Sequence, residues 1–269
     1  MATAFDFGSN WLNFSRQALD DTKVRQAKQD FQRLMGQVDL AGKTFLDIGF
    51  GQGLSLFVAA EQGAQPHGCD INPRCAEAAA NTARFFPAVS PDTPKITVGS
   101  ILEPSVVSAL RAATGGRGYD VVHSWGVLHH TGDMKQAIAN AVSLVQPGGY
   151  FALAIYNRHF TSPIWVAIKW FYCKCPKWLQ RLLIGLFYPV IWLAKLVVTG
   201  ENPTKQDRGM DFYFNVIDWV GGYPYEYASI EEVRALVEPL GFECVKTLPA
   251  QVPTGCNELL FHSVKTKPI

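Results

Sequence analysis

The sequence predicts an α/β fold built on a parallel sheet that is covered by helices on both faces. Short apolar runs alternate with helical patterns over residues 43–157, as parallel strands and their crossover helices do. The first apolar run also passes directly into a glycine turn and the opening of a helix, at residues 43–60. A strand, a turn and a helix in this order are typical of the ligand-binding edge of such a sheet.

The expected elements follow one another with short connections. Before the first strand, a helix capped by Asp20 or Asp21 is expected to run to about residue 35. After the glycine turn, we expect strands at residues 67–70, 95–101, 119–125 and 150–155, with helices at 73–85, 102–113 and 136–145. Ser229 and Glu232 form a capping box for a helix to residue 237, and two closing strands are expected at 241–247 and 259–264.

Composition limits the class of protein. The chain has 269 residues, 48% of them hydrophobic, enough for one such domain with additions. A net charge of +1 gives no reason to expect nucleic-acid binding, and six cysteines without a Cys-x-x-Cys pair indicate no metal site. The first residues lack a basic region followed by an apolar run, so we expect a cytoplasmic protein.

The glycine turn is the most informative stretch. Asp47 lies near the end of the first strand, and glycines then occupy every second position from Gly49 to Gly53. Such a turn presents free backbone N–H groups and lets a ligand approach the main chain closely. The dinucleotide pattern Gly-x-Gly-x-x-Gly fails at Leu54, and the lysine of a phosphate-binding P-loop is absent. The pattern present is Asp-x-Gly-x-Gly-x-Gly.

A second acidic residue, Asp70, follows about twenty residues later, at the end of the next expected strand. A carboxylate at that distance can accept two hydrogen bonds from the vicinal hydroxyls of a ribose. The two motifs together indicate a ligand that carries a ribose and, next to Asp47, a positively charged group.

The pattern from Asp47 to Gly53 resembles motif I of the class I S-adenosylmethionine-dependent methyltransferases. A Leu-His-His run from Leu128 and a Pro-Gly-Gly turn from Pro147 are similar to further features of that family, in the same order. The resemblance implies a Rossmann-like sheet of seven strands with the last antiparallel. It also implies S-adenosyl-L-methionine as the cofactor and S-adenosyl-L-homocysteine as the product.

The resemblance and the strand-end positions together suggest a set of cofactor contacts. Ser100 and Ile101 occupy the place where the family contacts adenine, although the aspartate common there is absent. Trp11, in a segment of residues 5–14 that we expect to be irregular, is a candidate to fold over the cofactor; packing against the sheet edge is the alternative. The full set is Trp11, Asp47, Gly49, Phe50, Gly51, Gly53, Asp70, Ile71, Asn72, Ser100, Ile101, Ser124, Trp125 and Gly126.

The chain is expected to form one domain with an insertion. Residues 1–40 form an N-terminal cap segment, 41–157 the cofactor-binding core, 158–228 an inserted substrate cap, and 229–269 the end of the sheet. Residues 163–198 are apolar and aromatic, with basic but no acidic side chains. Their longest uncharged run, residues 182–194, is too short for a membrane span. Three alternatives remain open: a lid with solvated lysines, a surface that rests on anionic lipid, or a homodimer contact.

Candidate acceptor-binding and catalytic residues lie at strand ends and in residues 206–227, where charged groups alternate with aromatics as in a binding pocket. His130, then His129, are the preferred general bases because imidazole titrates near neutrality, and Asp211 and Glu226 are alternatives. The expected acceptor contacts are Tyr156, Asn157, Arg208, Tyr223, Tyr225, Glu226 and Asn257.

The sequence therefore predicts a methyltransferase for a small, partly apolar or aromatic acceptor, such as a natural product, a quinone-like precursor or a lipid-linked compound. O-methylation is favoured, and N- or C-methylation remains open. The alternative is a non-catalytic cofactor-binding scaffold or a peripheral membrane partner.

Overall fold

The computed structural model describes residues 5–90, 93–204 and 211–264. Its sheet has the strand order β3-β2-β1-β4-β5-β7-β6, in which β1 to β5 pair in parallel and β7 is antiparallel to both β5 and β6. This arrangement confirms the predicted seven-stranded sheet. The strands are β1 (Thr44–Ile48), β2 (Gln65–Asp70), β3 (Lys95–Val98), β4 (Tyr119–Trp125), β5 (Val145–Tyr156), β6 (Phe242–Leu248) and β7 (Cys256–Ser263).

Helices cover both faces of the sheet. One apolar cluster joins the sheet to α5, α6 and α10, and another joins it to α1, α2, α3 and α4. Burial on both faces explains why the central strands are continuous apolar runs. The helices are α1 (Phe7–Gln17), α2 (Asp21–Met35), α3 (Leu54–Glu61), α4 (Arg74–Ala83), α5 (Pro104–Ala112), α6 (Met134–Ser143), α7 (Ser162–Lys174), α8 (Lys177–Thr199), α9 (Phe212–Gly221) and α10 (Ile230–Val237).

The N-terminal segment forms the helix α1, so the expectation of an irregular stretch at residues 5–14 is wrong. Asp6 caps α1 by accepting a hydrogen bond from the Ser9 backbone N–H at 3.0 Å. Phe7, Trp11 and Phe14 are four and three residues apart, so they lie on one side of a helix. Gly, Ser and Asn between them have low helix propensity, and packing against the domain overrides that propensity.

The insertion after β5 forms a helical layer of α7, α8 and α9 with its own apolar cluster. The lid alternative predicts that the lysines of this layer are solvated. For Lys169 of α7 that prediction is wrong, because its side chain is 0% exposed. By length and composition, α8 is a helix that could cross a membrane, but only 6% of its most apolar window is buried. The uncharged run at residues 182–194 is only part of α8, which also includes Lys177, Arg181 and Lys195. The capping box of Ser229 and Glu232 is present as predicted.

Candidate active site

A cavity of about 1390 Å³ lies beyond the carboxyl ends of β1, β2, β4 and β5. The glycine turn after β1 lines one part of it, and residues of α8 and α9 line another part. In open α/β sheets this edge is where ligands bind, because the loops after neighbouring strands diverge there. The sheet therefore brings the glycine turn and the inserted helices to one cavity.

The glycine turn has a backbone that other residues would not adopt without strain. Gly49 and Gly51 have φ values of +74° and +56°. A Cβ atom at Gly49 would lie 2.3 Å from the Val127 side chain, and one at Gly51 would lie 3.0 Å from the Trp11 indole nitrogen. Both positions therefore need glycine for conformation as well as for space.

Asp70 is held at the cavity wall by backbone donors. Its carboxylate accepts hydrogen bonds from the N–H groups of Gly51, at 3.2 Å, and Asn72, at 2.9 Å. Burial nevertheless raises the pKa of Asp70 above its usual value. Two backbone donors therefore fix the carboxylate beside the glycine turn.

A buried pair that the sequence did not predict involves Asp47. Its Oδ1 atom lies 2.7 Å from Nδ1 of His123, a β4 residue that also lines the cavity. The His123 ring packs against Phe31 and Phe45, at 6.0 and 5.7 Å between ring centroids. Because β1 and β4 are neighbours and Asp47 pairs with His123 in register, the sheet itself creates this contact. The pairing fixes the orientation of the Asp47 carboxylate.

Most of the suggested cofactor residues line the cavity, and three do not. Gly53 begins α3, Asn72 donates its side-chain N–H to Asp6, and Ser124 donates its hydroxyl to the Ile48 carbonyl. These three support the turn and the strand ends instead. The residues on the wall are Trp11, Asp47, Gly49, Phe50, Gly51, Asp70, Ile71, Ser100, Ile101, Trp125 and Gly126.

The two candidate bases, His129 and His130, have pKa values below the near-neutral value expected from the sequence. His130 lines the cavity, and its Nδ1–H donates to the Pro224 carbonyl at 2.6 Å. Burial lowers the pKa of His130 to about 3. His129 is fully buried behind the wall, and burial lowers its pKa as well. Both rings are therefore neutral at physiological pH and are weak bases.

Two charged residues of the inserted layer complete this part of the cavity, and sequence reasoning missed their placement. Asp218 of α9 lies on the wall and accepts a hydrogen bond from Asn10 Nδ2 at 2.8 Å. Burial raises the pKa of Asp218 to about 7, against the opposing effects of the Asn10 hydrogen bond and of Lys169. A carboxyl group with that pKa exists in both protonation states near neutral pH.

Lys169 approaches from behind this wall. Its ammonium donates a hydrogen bond to the Trp219 carbonyl and lies 4.7 Å from the Tyr225 ring centroid, 4.9 Å from that of Trp219 and 5.6 Å from that of Tyr156. Aromatic faces attract a cation, and they replace part of its hydration. Burial lowers the pKa of Lys169 to about 7, while the Asp218 charge acts in the opposite direction.

The suggested acceptor residues fall into three groups. Tyr156 and Tyr223 line the cavity. Arg208 lies outside the described residues. The remaining four, Asn157, Tyr225, Glu226 and Asn257, do not line the cavity and make their contacts behind its wall.

These supporting contacts are specific. Asp211 caps α9 through the N–H groups of Tyr213 and Phe214, and Glu226 accepts from the Met134 N–H at the start of α6. Tyr225 packs on Tyr156, with 5.1 Å between ring centroids.

Asn157 and Asn257 tie the end of β5 to the connection between β6 and β7. Asn257 Nδ2 donates to Asn157 Oδ1 at 3.0 Å, and Asn157 Nδ2 donates to the Pro253 carbonyl at 2.9 Å. Residues 248–249 and 251–256 of that connection line the cavity. The two asparagines therefore shape the wall indirectly.

Comparisons with known proteins agree with this architecture. Residues 46–151 match a family model described as a methyltransferase domain. Ubiquinone biosynthesis O-methyltransferase of Vibrio vulnificus is 26% identical over 164 residues, which are 61% of this chain and 64% of that protein. The protein of the same name from Methylobacterium is 34% identical over 131 residues, 48% of this chain and 47% of that protein. The chain thus matches only about half to two thirds of the length of these relatives.

Solved structures share the fold. The N-methyltransferase NodS of Bradyrhizobium japonicum, in complex with S-adenosyl-L-homocysteine, has a TM-score of 0.55 at 14% identity, covering 98% of this chain and 100% of that one. Magnesium protoporphyrin IX methyltransferase of Synechocystis has a TM-score of 0.54 at 15% identity, covering 89% and 82%. The family match identifies residues 46–151 as a methyltransferase domain, and the sheet order and these neighbours show that the chain has the fold of the class I S-adenosylmethionine-dependent methyltransferases.

Proposed function

We propose that the protein transfers a methyl group from S-adenosyl-L-methionine to a small, partly apolar or aromatic acceptor. The observation that carries this proposal is that one cavity is lined both by Asp47, Gly49, Gly51 and Asp70 and, from the insertion, by Asp218. The first group suits the cofactor. The second offers a titratable carboxyl group where an acceptor would be held.

The residues at the glycine turn fit the cofactor. Gly49 and Gly51 hold the turn in a positive-φ conformation at the cavity wall, and Asp70 is positioned as a hydrogen-bond acceptor for ribose hydroxyls. Asp47, oriented by His123, places negative charge where the cofactor's amino-acid portion would lie. Bound S-adenosyl-L-methionine supplies an electrophilic methyl group, and the protein's task is to align the acceptor with it.

The acceptor side of the cavity has aromatic walls with few polar groups, which favours an acceptor with an apolar or aromatic body. Trp219 makes edge-to-face contacts with Trp165 and Tyr156, with 5.1 and 5.3 Å between ring centroids. The relatives named ubiquinone biosynthesis O-methyltransferase support an aromatic hydroxyl as the methylated group. We therefore favour O-methylation in a biosynthetic modification over N- or C-methylation.

Asp218 is the better candidate for the general base. A base works best when its pKa lies near the working pH. Asp218 meets that condition, with a pKa raised by burial to about 7, whereas burial lowers the pKa of His130 to about 3. In this proposal Asp218 accepts the proton of an acceptor hydroxyl, and His130, anchored to Pro224, shapes the cavity beside it. His129 and Asp211 lie off the wall, which supports neither as the base.

A labelled-methyl assay tests this function. The wild-type protein is incubated with S-adenosyl-L-methionine carrying a labelled methyl group and with a panel of hydroxylated aromatic compounds of increasing apolar chain length. Label in an acceptor, with equimolar S-adenosyl-L-homocysteine, is the expected result. Cofactor binding without transfer to any acceptor, including amine and carbon nucleophiles, would favour the non-catalytic scaffold and overturn the catalytic proposal.

A further inference from the structure

The solvent side of α8 is apolar over most of its length. Its exposed side chains recur every three or four residues, so they form a single stripe along the helix. Each of the six is between 56% and 75% exposed. We call this stripe the α8 face; its residues are Trp178, Leu182, Leu186, Val190, Leu193 and Val197.

The opposite side of α8 is also apolar, but it is packed. Ile184 is buried, and Leu183, Phe187 and Ile191 pack against the cluster formed with α7 and α9. A helix that is apolar all round is normally enclosed on every side. A contiguous exposed apolar surface of this length marks an interaction site, because water alone does not stabilise it.

The charge around the α8 face distinguishes between possible occupants. Lys174, Lys177 and Arg181 are exposed at the end of α7 and the start of α8, while residues 134–200 contain no acidic side chain. Lys174 lies over the Trp170 ring, 4.0 Å from its centroid. A second copy related by two-fold symmetry would bring the same cation-rich face against itself. An anionic lipid surface instead complements the cations, and tryptophans favour the lipid–water boundary.

The packing of α8 also determines how it would meet a bilayer. Its packed side contributes to the apolar cluster, and its residues Ile191, Ala194 and Val198 line the central cavity. A membrane-spanning position would remove these contacts. A helix lying in the interface plane keeps them and buries only the α8 face.

We propose that the protein docks on anionic phospholipid membranes through the α8 face, with Lys174, Lys177 and Arg181 at the phosphate level. Because α8 also forms part of the cavity wall, docking places the cavity next to the lipid. If the proposed methyl transfer holds, the acceptor is then an amphiphile dissolved in the membrane. The docking itself does not depend on that transfer.

Vesicle flotation tests the docking. The full-length protein is mixed with phosphatidylcholine vesicles, with or without phosphatidylglycerol, at low and high salt. We expect flotation with the mixed vesicles that weakens as salt rises. Leu182→Gln/Leu186→Gln and Lys177→Gln/Arg181→Gln should each reduce the bound fraction by about ten-fold or more. The matched controls, Val245→Gln on β6 and Lys135→Gln on α6, should float like the wild type.

Binding of S-adenosyl-L-homocysteine to every variant shows that each is folded and keeps this test separate from that of the methyltransferase function. Absence of flotation, or flotation that the α8 substitutions leave unchanged, would overturn the proposal. A dimer in sedimentation velocity that Leu182→Gln/Leu186→Gln dissociates would also overturn it, since a second copy would then cover the face.

Discussion

Asn10 Nδ2 donates a 2.8 Å hydrogen bond to Asp218 Oδ1, although 208 residues separate the two in the chain. The contact joins α1, which also carries Trp11 at the glycine turn, to α9 of the inserted layer. The N-terminal helix thus contacts both the part of the cavity suited to the cofactor and the part suited to the acceptor.

The substitution Asp218→Asn removes the proposed base and keeps the size of the side chain. We expect kcat to fall by about 10²- to 10⁴-fold, the usual contribution of a general base, with S-adenosyl-L-homocysteine affinity unchanged. Steady-state kinetics and calorimetry measure the two effects. Asp211→Asn is the matched control: the amide oxygen can still cap α9, so stability should change little and kcat should stay near the wild-type value. Wild-type kcat in Asp218→Asn would exclude Asp218 as the base.

The substitution Asn10→Ala should alter the pH dependence of the reaction. The Asn10 hydrogen bond favours the charged form of Asp218, so its loss raises the pKa of that carboxyl group above about 7. Activity that requires deprotonated Asp218 rises with pH, and its midpoint should therefore move to higher pH, by about one unit. A pH–kcat profile measures the shift. A midpoint at the same pH in both proteins, or one moved to lower pH, would contradict the assignment.

Stability should depend on pH in a direction unusual for a carboxyl group. The pKa of Asp218 is about 7 in the folded protein and 3.8 in its usual environment, so between these pH values the unfolded state loses the proton first. The free energy of unfolding of the wild type, relative to Asp218→Asn, should therefore fall as pH rises from about 4 to 7. We expect a fall of about 2 kcal/mol, allowing for water at the cavity wall.

Urea denaturation at several pH values measures this difference. The same comparison in a Lys169→Met background removes the titration of the neighbouring lysine, and the direction should remain. A relative stability that rises over this pH range would show that the Asp218 pKa is not raised.

Local patterns predicted the sheet and the glycine turn, because each depends on residues close together in the chain. The glycines of the Asp47–Gly53 run by themselves indicate a tight turn after a strand. Asp70 follows at the spacing of one strand–helix–strand unit. The Asn10–Asp218 contact could not be predicted in this way, since it depends on how α1 and the insertion pack on the same domain. Lys169 illustrates the limit further: its sequence neighbourhood matches that of the exposed Lys174 and Lys177, and only the fold shows it buried.

The placement of Trp11 leads to a prediction about cofactor affinity. Its indole lies against Gly51 and lines the cavity. If it covers the bound cofactor, Trp11→Ala should weaken S-adenosyl-L-homocysteine binding by about ten-fold, or about 1.4 kcal/mol. Trp178→Ala, on the exposed side of α8, is the control and should bind normally. Equal affinities in both variants would assign Trp11 to packing alone.

The most direct test of the account is calorimetric titration of S-adenosyl-L-homocysteine into the wild type and into Asp70→Ala, with Asp39→Ala as a control at an exposed carboxylate. The account predicts a dissociation constant in the micromolar range for the wild type and the control. It predicts that Asp70→Ala loses binding by at least about ten-fold, because the ribose hydroxyls lose their acceptor. Unchanged binding in Asp70→Ala, or binding of a nicotinamide dinucleotide in place of S-adenosyl-L-homocysteine, would contradict the assignment of this cavity.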